Sequence, residues 1–215
     1  MDVKLVGITG KAGAGKDTLA SFLLEAHMDE SRIGKQIAFA DPVKKATAEM
    51  YGIPLNNLYD RELKETVDEF WGISPRQMAQ LVGTDMARNV FDDQIWIKRA
   101  QKEIKNNEKA DLFVITDVRF ENEAEFIRES GGYLIHIKRP DDEGSVTGSD
   151  HESENGVSLV EGNDIEFVNG GSLDELKLLA RVFYAYEISN RDFEEYHQEI
   201  FSEYQEDAKA EKVYN

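Results

Sequence analysis

The 215-residue chain contains no cysteine, which excludes disulfides, zinc–thiolate centres and thiol nucleophiles. Carboxylate, lysine and arginine chemistry remains. No apolar run approaches the roughly 18 residues needed to cross a bilayer, and the opening MDVKLVGITG has neither a basic region nor a small-residue cleavage site. The chain is therefore expected to be soluble and cytoplasmic. It is also poor in positive charge, with 25 basic against 43 acidic residues and a net charge of −18. The summed field of such a molecule repels duplex DNA and anionic membranes, so neither is an expected partner. Any anionic ligand has to be met by a local cluster of cations.

The stretch GITGKAGAGKDTLA, residues 7–20, reads as a phosphate-cradling loop with one departure. Gly10, Gly15 and Lys16 fit the pattern G-x-x-x-x-G-K-[ST], in which the final hydroxyl holds Mg²⁺. Asp17 stands in the hydroxyl position, and Thr18 supplies the hydroxyl one residue late. The loop lies between an apolar run, VKLVGI (residues 3–8), and DTLASFLLEAHM, where Leu19, Phe22, Leu23 and Ala26 recur at helical spacing. Strand, glycine loop and helix are in the order an anion site at a helix N-terminus requires. Gly13 and Gly15 permit close backbone approach, and Lys16 supplies charge for the β and γ phosphates. Asp17 offers Mg²⁺ an anionic oxygen, directly or through water.

The alternation continues along the chain. QIAFA (36–40) reads as a second strand, followed by a helix with Asp41 as its cap and Pro42 at its first position. Roughly from Leu58 to Asn107 strand character is scarce, and helices are expected: one capped by Ser74 with Pro75 behind it, another over DDQIWIKRAQKEIKNN. DLFVITD (111–117), YLIHIKR (133–139) and DIEFVNGG (164–171) then read as strands separated by helix and loop. The fold class expected is α/β: a five-stranded parallel sheet flanked by helices, with a helical insertion at about 55–108 and a C-terminal helix. Residues 140–156 are the natural lid, and residues 189–215 form an acidic tail whose Phe193, Tyr196, Ile200 and Tyr204 make one apolar stripe. That stripe is expected to pack on the body or on a second copy, as a homodimer. His151 is a lone histidine in the polar loop, with no assigned role.

In such a sheet ligands gather at the carboxyl ends of the strands. Asp117 leaves an apolar strand there and is a candidate for Mg²⁺ or for a helix cap. Arg119, Arg139, Arg76 and Arg88 accumulate where a polyanion would sit, and a guanidinium fork suits phosphate oxygens. Gln80, Thr84 and Asp85, with Trp96 and Trp71, offer hydrogen bonds and stacking to a base.

Four blocks, ITGKAGAGKDTLA, FADPVKKA, SPRQMAQLVGTDMARNVFDDQIWIKRA and VITDVRFENEAEFIRESGGYLIHIKRP, resemble the bacteriophage deoxynucleoside monophosphate kinases of the P-loop NMP-kinase superfamily. DHESENG is a weaker fifth. The resemblance implies that ATP donates a phosphoryl group to a deoxynucleoside monophosphate with Mg²⁺ as cofactor, in a host cytoplasm if a phage encodes the chain. It implies that Gly13, Gly15, Lys16, Asp17 and Thr18 hold the ATP phosphates and that Asp17 and Asp117 serve the metal. Lys16, Asp17, Arg119 and Arg139 then form the catalytic set, and Asp41, Lys44, Arg76, Gln80, Gly83, Thr84, Arg88 and Trp96 the acceptor set. The family pattern sometimes has Lys where Gln77 stands. Two other readings stay open: a kinase for another small phosphorylated metabolite, phosphomevalonate-like or a coenzyme precursor, and a non-catalytic ATP-binding interaction module.

Overall fold

Apolar runs with little polar interruption, as in KLVGIT and LFVI, are what a strand covered on both faces requires. The structure, a computed structural model that describes residues 3–140 and 156–189, pairs these runs into one sheet. The strands are β1 (Lys4–Thr9), β2 (Gly34–Ile37), β3 (Leu112–Ile115), β4 (Tyr133–Lys138) and β5 (Ile165–Val168). Their order is β2-β3-β1-β4-β5 and every pairing is parallel. One set of alternate side chains, including Val6, Ile8, Val114 and Ile135, packs against Leu19 and Leu23 of helix α1 (Lys16–Asp29) and Leu176 and Ala180 of the late helix Leu173–Phe183. The opposite set, including Leu5, Phe113, Ile115 and Leu134, meets Phe39, Ile97 and Ile127.

Helix α2 (Ala40–Tyr51) follows β2. The insertion then runs through the short α3 (Asn56–Tyr59), a 3₁₀ turn (Leu63–Glu65), α4 (Pro75–Gln80), a π-helical stretch (Leu81–Phe91) and α5 (Ile95–Lys105). It carries a small core of its own, in which Met78 packs with Ile53 and Leu58. Ser74 starts α4 as expected: its Oγ accepts the Gln77 N–H, and Gln77 Oε1 accepts the Ser74 N–H at 2.9 Å. Gln77 is thereby engaged in a capping box. Helices α6 (Glu121–Glu129) and α7 (Leu173–Phe183) complete the flanks, the latter running into a π segment, Tyr184–Ile188.

One boundary differs from the sequence expectation. The second strand stops at Ile37 and α2 begins at Ala40, so QIAFA straddles strand, turn and helix. Asp41 falls inside the first turn and does not cap it. The acceptor comes from elsewhere in the chain, because Asp117 receives the N–H groups of Phe39 and Ala40, each at 2.8 Å. A cap borrowed across the sheet leaves no local signature in the sequence.

At the amino edge of the sheet, buried His27 bonds to Tyr184 Oη at 3.0 Å and to Asp111 Oδ1 at 2.6 Å, while Arg32 Nε donates to Asp111 Oδ2. This network joins the end of α1, the start of β3 and the last helix, far from the carboxyl edge. Most of the lid-like loop with His151, and the tail stripe of Phe193, Tyr196, Ile200 and Tyr204, lie outside the described residues.

Candidate active site

The phosphate loop joins the carboxyl end of the central strand β1 to α1. Gly15 stands at the N-cap of α1 with φ near +104°, and a Cβ there would lie 2.6 Å from Asn169 Nδ2. Only glycine meets both conditions without strain. Asn169, just past β5, donates to the carbonyl of Ala14 at 2.8 Å and is buried, so the loop is supported from below by a side chain 155 residues away. Lys16 Nζ lies across the loop, donating to the carbonyls of Gly10 at 2.6 Å and Lys11 at 2.8 Å. Arg139 Nε donates to the Gly13 carbonyl at 3.0 Å. Backbone amides at a helix N-terminus, a lysine and an arginine thus surround one small volume, which is an arrangement for phosphate oxygens.

Asp17 is exposed on the first turn of α1, and its Oδ1 accepts from Gln36 Nε2 at 3.1 Å. The same amide reaches Thr116 Oγ1 at 3.3 Å. Thr116 precedes Asp117, so Gln36 connects the phosphate loop to the wall of the neighbouring cavity.

That cavity, of about 220 Å³, is walled by α2, the insertion and the segment after β3. The sequence-predicted residues Lys44, Arg76, Gln80, Gly83, Thr84, Arg88, Trp96, Asp117 and Arg119 all line it. These residues come from segments separated by up to about a third of the chain. Asp41 does not line it; it sits at the rim, where Tyr59 Oη donates to its Oδ1 at 2.8 Å and Lys44 Nζ lies 4.0 Å from the Tyr59 ring centre. Trp71 packs edge-on against Tyr51 and Phe70 outside the cavity, and Asp85 does not line it either.

The acidic residues of the wall are already engaged. Burial raises the Asp117 carboxyl, against the pull of the Ala40 and Phe39 amides and of Arg119. Both of its oxygens accept those amides, which ties Asp117 to the start of α2. Glu123, which sequence reasoning missed, is almost fully buried. Its Oε2 accepts the N–H groups of Arg119 and Phe120, and its Oε1 accepts from Arg88 Nη1 at 3.1 Å. Burial, reinforced by the charge of Asp117, pushes its carboxyl up to about 7 although the Arg119 amide and Arg88 oppose the rise. Arg88 also donates to Asn122 at 2.6 Å and stacks 3.8 Å from the Phe120 ring centre. Of the expected arginines that line the cavity, it is the buried one.

Trp96 donates its indole N–H to the Gly83 carbonyl at 2.8 Å, leaving the ring as its contribution to the cavity. Gly83 itself is tight, since a Cβ would lie 2.7 Å from Val43 Cγ1. Tyr59, Lys64 and Phe120 line the cavity without having been singled out. Lys64 lies in the charged run RELKE, which reads as a solvated turn. Glu123 had a faint signal, as an acidic residue in the first turn of α6.

A parallel sheet ordered 2-3-1-4-5, a lysine-bearing glycine loop at its centre and a cation-lined cavity beside that loop define the class of P-loop kinases. Within that class, the chain belongs to the deoxynucleotide monophosphate kinase family, whose model matches residues 60–179. It is similar to a putative deoxynucleotide monophosphate kinase of Acanthamoeba polyphaga mimivirus, with 37% identity over 188 residues, covering 80% of this chain and 91% of that one. A deoxynucleoside-5'-monophosphate kinase of Escherichia phage T5 is 28% identical over 213 residues, covering 71% and 84% of the two chains. Among solved structures, an APS kinase of Mycobacterium tuberculosis aligns over 82% of this chain and 94% of its own, with a TM-score of 0.44 and 10% identity. A likeness that loose carries nothing about substrate, and the fold rests on the strand order.

Proposed function

We propose that the protein transfers the γ-phosphoryl group of ATP to the 5′-phosphate of a deoxynucleoside monophosphate, giving ADP and the deoxynucleoside diphosphate. The observation that carries this reading is the adjacency of the phosphate loop to a cavity lined by Lys44, Lys64, Arg76 and Arg119, in a protein of net charge −18. An oxygen of the acceptor phosphate attacks the γ phosphorus, a new P–O bond forms, and the bond to the β–γ bridging oxygen breaks with its electrons going to ADP. The acceptor is already ionised, so no strong general base is required and catalysis is positioning plus neutralisation of charge. Lys16 and Arg139 would serve the donor phosphates, and Arg119 the space between donor and acceptor. Gln80 and Thr84 would bond the base edge, with the Trp96 ring against its face.

Mg²⁺ commonly takes one or two carboxylates together with substrate phosphates and waters. The described residues fit that habit: they contain no group of three or more His, Cys, Asp or Glu able to hold a metal, but Asp17 presents an exposed carboxylate at the loop. Asp17 and Thr18 would hold the ion, which when bound neutralises charge on the transferred group. The described residues include no helix long and apolar enough to cross a membrane. With the acidic charge, this supports a cytoplasmic enzyme working on nucleotides rather than on nucleic acid or a membrane.

A coupled ADP-release assay across dAMP, dGMP, dCMP, dTMP and their ribose counterparts tests the reading. ADP formation is expected only when ATP and a deoxynucleoside monophosphate are both present. ATP turnover indifferent to every monophosphate, or absent with all of them, overturns it.

A further inference from the structure

The deoxynucleotide reading leaves the part played by one cation of the cavity, Lys64, unassigned. Its two carboxylates are turned to their own backbone and to Arg88, while Lys44 from α2, Lys64 from the 3₁₀ turn, Arg76 from α4 and Arg119 from beyond β3 line the same cavity. Arg76 and Lys44 have carboxylates beside them, Glu65 at 2.7 Å and Asp41 at 3.8 Å, but the gathering of cations from four segments on one cavity still makes it a favourable place for an anion.

Lys64 is the one of the four that neither the sequence pattern nor the family resemblance marks. Its presentation is nevertheless built. Asp60 Oδ1 accepts the N–H groups of Glu62 and Leu63, each at 2.9 Å, which fixes the 3₁₀ turn. The next residue, Glu65, accepts from Arg76 Nε at 2.7 Å and ties that turn to α4. Among the described residues no ion pair is formed by the Lys64 ammonium, although Lys44, Arg76, Arg88 and Arg119 line the same cavity. Burial, and then the charges of Arg76, Arg119 and Lys44, lower its pKa, with only Glu65 acting in the other direction. The group is thus held close to other cations at a cost that an incoming dianion would offset.

We infer that Lys64 is a binding residue for the acceptor's 5′-phosphate, acting on it together with Lys44, Arg76 and Arg119. The inference rests on the proposed reaction and adds a binding residue to it. A contact made to a phosphate that is present both before and during transfer strengthens ground state and transition state alike, so its loss is expected in KM more than in kcat.

The test compares wild type, Lys64→Met, Lys64→Gln and Lys64→Arg in steady-state kinetics with dTMP and ATP, together with calorimetric titration of dTMP and of thymidine. Loss of one charge-assisted contact corresponds to roughly 10- to 100-fold. KM and Kd for dTMP are expected to rise by about that factor in the Met and Gln variants, with KM for ATP and kcat within about threefold of wild type. Thymidine, which lacks the phosphate, should bind all four proteins equally, and Lys64→Arg should recover most of the loss. Unchanged dTMP binding in both neutral variants overturns the inference. So does a parallel rise in the KM for ATP, an equal loss of thymidine binding, or an Arg variant as impaired as Met. If wild type turns over no deoxynucleoside monophosphate at all, the proposed reaction fails instead. Calorimetry of dTMP against the variants still decides the role of Lys64.

Discussion

The two halves of the site are made in different ways. The phosphate loop is one continuous segment, Gly10 to Thr18, whose binding groups are backbone amides and one lysine held over two carbonyls of the same loop. The acceptor cavity is assembled from side chains on α2, α3, the 3₁₀ turn, α4, the π-helical stretch, α5 and the β3–α6 connection. A backbone site is specified by where the chain can bend and is indifferent to most titrations. A side-chain site depends on long-range packing, and its charges depend on one another. Replacements in the loop should therefore act on turnover with little effect on stability. Replacements in the cavity wall should act on both.

The largest effect is expected in the loop. Lys16→Ala removes the ammonium nearest the donor phosphates, and loss of such electrostatic stabilisation corresponds to about 10²–10³ in kcat or more. Because Lys16 Nζ donates to carbonyls of its own loop and the residue is not in the buried core, the melting temperature should stay close to that of wild type. Near-normal kinase activity in this variant would sink the functional reading as well as the comparison.

Next in size is the wall. Arg88 and Glu123 are both almost wholly buried, 6% and 3% exposed at their side chains. Arg88→Met leaves the carboxylate without its cation, and breaking a buried pair from one side costs about 3 kcal/mol or more. Chemical denaturation should show that loss together with weakened acceptor binding. A variant as stable as wild type would mean that the pair is solvated.

A smaller effect, visible as a slope, separates the halves by pH. The folded pKa of Glu123 is about 7, above its ordinary value of 4.5. Its contribution to stability is therefore fully present below about pH 4.5 and is lost as pH rises through 7, because the folded state binds the proton more tightly than the unfolded one. Glu123→Gln abolishes that titration, so the difference in melting temperature between wild type and variant should change across this window and level off above it. A pH-independent difference would show that Glu123 stays ionised throughout.

The same contrast explains what could be read beforehand. The loop was legible because glycine placement, the lysine and the strand–helix order are all local, as was the Ser74 capping box. Strands β1 and β3 were legible because nearly uninterrupted apolar runs need two covered faces, whereas β2, GKQI, is mostly polar and only its last two residues fall in the run QIAFA. What escaped depended on residues distant in sequence. Asp41 looked like a cap, but the helix starts earlier, and the N–H groups of Phe39 and Ala40 at its start are held by Asp117, 78 and 77 residues away. Asn169 sits in VNGG, which reads as a turn, yet supports the loop carbonyl of Ala14. Lys64 and Glu123 lie in charged runs indistinguishable from solvent-facing ones until the chain is folded.

The smallest effect concerns the base. Gln80 and Thr84 line the cavity while the polar atom of Trp96 is tied to Gly83, so the two hydrogen-bonding side chains are what remains to distinguish one base edge from another. A neutral hydrogen bond contributes about 1 kcal/mol net, so Thr84→Ala or Gln80→Ala should alter acceptor preference several-fold rather than abolish activity. The loss should be uneven across dAMP, dGMP, dCMP and dTMP, because donor and acceptor patterns differ among the bases while the phosphate does not. Competition between pairs of monophosphates in one reaction reads that ranking directly. An equal loss on all four would assign both side chains to shaping the π-helical wall, and base selection would then fall to the cavity's apolar outline around Val43, Leu58 and Trp96.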